Sequence, residues 1–219
     1  MSPHAFLLDL YDTVVHGDWA GWRTELASLS GLDPDAIGMA YHLTREARNV
    51  GAYATPEDDM RALLEAAGIA DPDPALVRRL VEAESAFGGD RVQLYDDSLI
   101  TIAALRARGD KTALVSNCSS GTRAIVERLG LVEAFDAVVL SFELGARKPS
   151  VAIYQEALRG LDADPIDAIF VDDQTAYCDG ARALGIDTRL IVRDGAEPAE
   201  GFAPTTNGHT VIADLTSLL

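Results

Sequence analysis

The chain opens on a short apolar run, Ala5 to Leu8, that stops at Asp-Leu-Tyr-Asp-Thr over residues 9–13. A brief apolar run bounded by polar residues reads as a buried strand that delivers a polar loop at its carboxyl end. From about Trp19 to Gly89 the apolar spacing becomes helical, and it predicts helices near 19–30, 34–48, 56–68 and 73–88. Gly31, Gly51, Gly68 and the Asp-Pro pairs at 33–34 and 71–74 separate them. No strand is predicted inside this stretch. After Val92 strands and helices alternate: a helix from about Asp97 to Arg108, strand Thr112 to Ser116, helix Gly121 to Leu129 and strand Ala137 to Leu140. Then follow helix Val151 to Leu158, strand Ala168 to Val171, helix Tyr177 to Leu184, strand Thr188 to Ile191 and a closing helix near Leu215.

Such alternation predicts an α/β fold, a doubly wound, Rossmann-like parallel sheet with helices on both faces. One strand precedes the helical stretch and the rest of the alternation follows it. Residues 1–15 and 92–219 are therefore expected to form the core, and 16–91 an all-helical cap domain inserted after the first strand.

Composition narrows the function more than the fold. Of 219 residues, 48% are hydrophobic and 24% charged, enough for one buried core and a modest second lobe. The 35 acidic against 18 basic residues give a net charge of −17, which repels nucleic-acid backbones and anionic lipid surfaces. No nucleic-acid or membrane partner is expected, and a small-molecule substrate is. An anionic substrate would need Lys, Arg or a metal ion to reverse the field inside a pocket. Two cysteines, Cys118 and Cys178, make neither a disulfide framework nor a zinc motif. The chain enters its first strand without a basic leader, and no apolar stretch approaches the roughly 20 residues of a bilayer span. A cytoplasmic protein is expected.

In open parallel sheets ligands sit beyond the carboxyl ends of the strands. Reading those positions collects Asp9, Ser116, Lys148, Asp172 and Asp173. A carboxylate can act as a nucleophile, while a lysine and a divalent ion neutralise a transferring phosphoryl group. Oxygen-only ligands favour magnesium. Taken singly, Ser116 and Thr13 read equally well as turn residues or helix caps, and Lys148 as a solvated lysine. Asp9 is harder to explain away, because a carboxylate ending an apolar strand needs a charge partner.

Four segments in order carry a resemblance: Asp9-Leu10-Tyr11-Asp12-Thr13, Leu114-Val115-Ser116-Asn117, Arg147-Lys148-Pro149 and Phe170-Val171-Asp172-Asp173. Together they resemble the motifs of the haloacid dehalogenase superfamily, and the helical insertion resembles the cap that its members carry between the first two motifs. The resemblance implies a hydrolase with Asp9 as nucleophile and Thr13 ordering the loop around it. It implies that Ser116, Asn117 and Lys148 bind the substrate, with Lys148 also stabilising nucleophile and intermediate. Magnesium would lie between Asp9, Asp172, the backbone carbonyl of Tyr11, and Asp173 in a shared or supporting role.

Two positions depart from the family pattern. Phosphatases of the family usually carry a second aspartate as general acid and base where this chain has Tyr11; a tyrosine can donate a proton to a leaving alcohol but is a poor base at neutral pH, so Asp12, where glycine is usual, or His16 is left to substitute. Tyrosine there resembles the dehalogenase branch itself, which expels halide from carbon without a metal. Against that branch stands the pair Asp172 and Asp173, because three carboxylates without a cation would raise one another's pKa values and weaken the nucleophile. The second departure is Ala176 and Tyr177, where another Asp or Asn is usual. The reading is a magnesium-dependent phosphatase of a small phosphorylated metabolite, working through an aspartyl-phosphate. The alternatives are a metal-independent 2-haloacid dehalogenase and a weakly active or non-catalytic binding protein of the same fold.

In the cap, Trp19, Trp22, Tyr41 and Tyr53 read either as pocket lining or as core. Arg45 and Arg48 read as contacts to an anionic substrate or as an exposed helix face. Glu57, Asp58 and Asp59 are expected on an early helical turn, where they favour its dipole. Cys118 and Cys178 read as small buried thiols.

Overall fold

The computed structural model describes residues 4–193 and 206–219, so 1–3 and 194–205 of the expected core lie outside it. The sheet has strands β1 (Ala5–Leu8), β4 (Lys111–Ser116), β5 (Ala137–Leu140), β6 (Ala168–Asp172), β7 (Asp187–Ile191) and β8 (Thr210–Ile212), all parallel, in the order β5-β4-β1-β6-β7-β8. The first strand of the chain is thus central and buried along its whole length. That burial explains why its sequence is continuously apolar rather than alternating. Phe6 and Leu8 join one apolar layer, while Ala5 and Leu7 join the layer on the opposite face.

Helices cover both faces. Helix α9 (Val151–Leu161) packs on β4 and β5, α10 (Thr175–Arg182) on β6 and β7, and α5 (Ser98–Ala107) on β4. Three shorter helices, α6 (Thr122–Arg128), α7 (Leu131–Ala134) and α8 (Ser141–Leu144), fill the connections around β5. The register sets the site: Leu8 lies opposite both Leu114 and Val171, so the chain emerges at Asp9 level with Asp172 on the neighbouring strand.

Between β1 and the rest of the sheet the chain forms β2 (Val15–Gly17), then helices α1 (Trp19–Ser30), α2 (Pro34–Asn49), α3 (Pro56–Ala66) and α4 (Pro74–Asp90), then β3 (Val92–Leu94). The helices start where capping chemistry says they should. Asp18, Asp33, Thr55 and Asp73 each accept a backbone N–H of the first turn, and proline opens α2, α3 and α4. Strands β2 and β3 pair antiparallel, Val15 with Leu94 and Gly17 with Val92, so the outgoing and returning chains run side by side. This ribbon is absent from the sequence reading, as is β8. The closing helix expected near Leu215 is a single tight turn, Leu215–Leu218. Among the described residues, no helix is long and apolar enough to cross a membrane.

Candidate active site

The carboxyl ends of β1, β4 and β6 bring the expected polar residues together. Asp9 follows β1, Ser116 ends β4, Asp172 ends β6, and Lys148 reaches in from the loop before α9. The Nζ of Lys148 donates to Asp9 Oδ1 and, at 2.7 Å, to Asp172 Oδ2. Only 1% of the Lys148 side chain is exposed, and Asp172 is fully enclosed. Asp172 Oδ1 accepts the backbone N–H of Gln174 at 2.8 Å. Carboxylate oxygens of Asp9, Asp172 and Asp173 lie within 4.8 Å of one another.

Charge does not balance among these residues: one lysine faces three carboxylates. Burial is the largest influence on Asp9, and together with the Asp172 carboxylate it pushes the pKa up to about 7 although Lys148 pulls it down. Asp173 is likewise raised, first by burial and then by Asp172 and Asp9. A divalent cation would remove this frustration, and a set of carboxylate oxygens is the donor type that magnesium takes.

Asn117 grips the backbone on which Lys148 sits, accepting its N–H at 2.7 Å and donating to its carbonyl at 3.0 Å. Both ends of the Asn117 amide are thereby engaged in placing Lys148. The hydroxyls of Ser116 and Thr13 are buried and without a hydrogen-bond partner among the described residues. A buried hydroxyl normally finds a partner, so Ser116, at the carboxyl end of β4, keeps an unused donor, although it is not among the residues that line the cavity above the cluster.

Tyr11 turns toward α6: its hydroxyl is 2.8 Å from Thr122 Oγ1, and its ring packs edge-on against Trp19 at 5.3 Å. Burial drives its pKa up, which keeps the phenol neutral. Asp12 has φ 58°, in the left-handed region, which accounts for the usual glycine at this position. Asp and Asn tolerate that region better than most residues. Its carboxylate accepts Trp19 Nε1 at 3.2 Å, and burial raises its pKa. His16 instead packs at a tilt against the Tyr95 ring, 4.9 Å between centroids. Arg193, which the sequence reading does not single out, donates to the carbonyl of Thr13 at 2.6 Å and to Asp97 at 2.8 Å, tying down the nucleophile loop. No local pattern marks it, because its partners lie 180 and 96 residues away.

Above these residues a cavity of about 1010 Å³ extends to the helical insertion. Asp9, Asp12, Lys148 and Asp173 line it together with Trp19, Trp22, Tyr41, Asp59 and Glu84 from the helical insertion, and Tyr177, Arg23 and Arg45 are also on its walls. Tyr177, at a position where the family pattern has Asp or Asn, sets its ring 5.2 Å from Lys148 Nζ. Tyr53 is not among the lining residues. Cys118 and Cys178 are buried free thiols, and burial pushes the Cys118 thiol up to about 11, far from thiolate reactivity at neutral pH.

Residues 3–185 match the haloacid dehalogenase-like hydrolase family, and the chain belongs to it. The (S)-2-haloacid dehalogenase 1 of a Pseudomonas species is 32% identical over 126 residues, which span 57% of this chain and 56% of that enzyme. A Mycobacterium tuberculosis protein named as a phosphatase is 25% identical over 100% of this chain and 96% of its own length. The chain spans about half the length of the first curated relatives it matches. The solved structure of an L-2-haloacid dehalogenase superposes with a TM-score of 0.70 at 19% identity, covering 100% of this chain and 97% of that one, a likeness of fold.

Proposed function

We propose that the protein is a magnesium-dependent phosphatase of a small phosphorylated metabolite in the cytoplasm. The observation that carries this reading is the convergence of three carboxylates on one lysine in a buried site, which leaves two negative charges for a divalent cation to offset. Asp9, Asp172, Asp173 and the backbone carbonyl of Tyr11 would hold magnesium, which when bound supplies charge neutralisation for the phosphoryl oxygens. Asp9 attacks phosphorus and displaces the leaving alcohol, forming an aspartyl-phosphate. Water then attacks the same phosphorus, releasing inorganic phosphate and returning the carboxylate. Lys148 positions Asp9 and offsets charge on the transferring group, and the free hydroxyl of Ser116 donates to a phosphoryl oxygen. Thr13 orders the loop, and Asn117 keeps Lys148 in place. Asp12, on the cavity wall with a raised pKa, supplies the proton to the leaving alcohol.

The test is hydrolysis of an aryl phosphate by wild type and Asp9→Asn, with magnesium and with chelator. Turnover that requires both magnesium and Asp9 is expected. Turnover that survives either removal sinks the mechanism. A second reading, metal-independent dehalogenation of a 2-haloacid, is favoured by one observation: the Tyr11 phenol is bound to Thr122 and kept neutral. Halide release in the presence of chelator would identify it.

A further inference from the structure

The insertion touches the proton donor named above. Trp19, the first residue of α1, donates its indole N–H to Asp12 Oδ1 at 3.2 Å. An indole nitrogen can only donate, so Oδ1 is held as an acceptor. The other oxygen, Oδ2, has no hydrogen-bond partner among the described residues, and Asp12 lines the cavity. A proton carried by this carboxyl group therefore belongs on Oδ2, the oxygen left to meet a substrate. The backbone beneath is fixed as well, since the Asp12 N–H donates to the Val15 carbonyl at 2.7 Å. What keeps the carboxyl plane from turning is the bond to Trp19.

Trp19 is itself held from three sides. Its ring meets Tyr11 edge-on at 5.3 Å and lies tilted against Phe87 of α4 at 5.7 Å. On the third side is Gly17, where an added Cβ would lie 2.9 Å from Cη2 of the indole and 3.0 Å from its Cζ2. A glycine is thus required for the ring to rest there. A tryptophan that only packs needs any acceptor for its N–H, a carbonyl or water. Here the first and the last helix of the insertion hold an indole whose N–H is given to a carboxylate three residues from Asp9.

We propose that Trp19 is a positioning residue that presents Asp12 Oδ2 to the leaving oxygen, so that a side chain of the insertion completes the proton donor of the core. The proposal rests on the reading of Asp12 as the acid. As Asp9 attacks, the bond from phosphorus to the leaving oxygen breaks with its electron pair on that oxygen, which takes the proton from Oδ2. Asp12 is left as a carboxylate, still bound to Trp19 through Oδ1. It regains a proton from the water that attacks the aspartyl-phosphate.

The experiment measures kcat and KM for an alkyl and an aryl phosphate, with magnesium, in wild type, Trp19→Phe, Asp12→Asn and the double variant. An alkoxide needs the proton and a phenolate does not, so the alkyl-to-aryl ratio of kcat reads proton delivery, whatever fraction of the protein is folded. Trp19→Phe keeps an aromatic ring and removes the N–H, and it is expected to lower this ratio about tenfold or more. In the Asp12→Asn background the same change should move the ratio by less than about twofold, because the two residues act as one unit. If Trp19→Phe does not fold, Gly17→Ala, which pushes the indole without removing it, takes its place with the same expected shift. An unchanged ratio overturns the positioning role, and the acid reading stands if Asp12→Asn lowers the ratio in the same assay. An equal shift with and without Asp12 shows Trp19 acting on the substrate directly and also overturns the proposal. A ratio that Asp12→Asn leaves unchanged removes the acid reading and the proposal together.

Discussion

Asp9 and Asp12 sit three positions apart on one loop and differ in what surrounds them. Burial holds Asp9 above the ordinary carboxylate value of 3.8, up to about 7, against the pull of Lys148. A folded Asp9 thus binds its proton more tightly than an unfolded one, so its contribution to stability is full below the unfolded value and lost as pH rises through about 7. Metal binding needs the carboxylate. Magnesium should therefore raise the melting temperature more at about pH 8 than at about pH 5. An equal rise at both would contradict this account. For Asp12 the expectation concerns the leaving group. Asp12→Asn should lower kcat for an alkyl phosphate about 10²-fold or more, and much less for an aryl phosphate whose phenol leaves without help. Equal losses on the two esters would show that Asp12 donates no proton. The sequence reading singled out Asp9, Ser116, Lys148, Asp172 and Asp173, because strand ends and motif order are local properties, and it missed Arg193, whose partners are distant in the chain. In the helical insertion it placed Asp59 on an early helical turn and left Arg48 open between a substrate contact and an exposed face. Arg48 is instead buried against Asp59 and Glu84. Nothing in their spacing of 11 and 36 residues signals such a pairing.

At the scale of elements, α10 approaches the Lys148 loop closely at Gly180. A Cβ added at Gly180 would lie 2.7 Å from the Pro149 Cβ, 3.0 Å from the Pro149 carbonyl oxygen and 3.1 Å from the Tyr154 hydroxyl. Tyr154 is fully buried and donates to the carbonyl of Tyr177 at 2.7 Å, so it has little room to move. Gly180→Ala should cost about 1–3 kcal/mol in denaturant unfolding. It should also lower turnover by displacing the loop that carries Lys148. Wild-type stability and turnover in this variant would mean that the helix shifts without cost. The long elements were legible because burial imposes a period on them: four cap helices with punctuating Gly and Asp-Pro, and core strands with continuous apolar runs. Strands β2, β3 and β8 were not, since each is three residues long and is defined by its partner rather than by its own pattern.

The whole molecule carries a net charge of −17 around a site proposed to take an anion. That field opposes approach, so added monovalent salt should raise kcat/KM for a dianionic phosphate ester until screening is complete at a Debye length of about 8–10 Å. A fall in kcat/KM with salt from the outset would indicate local steering by the arginines of the cavity wall. A different consequence follows from the β2–β3 ribbon. Because the chain departs and returns on two hydrogen-bonded strands, the helices between them are joined to the sheet like a graft on a single stem. The stem closes its own circuit whatever it carries, so the inserted stretch can be lengthened, shortened or exchanged without disturbing the strand order beneath. The strand ends and the inserted stretch are thereby free to diverge at different speeds, and one can be transplanted without the other.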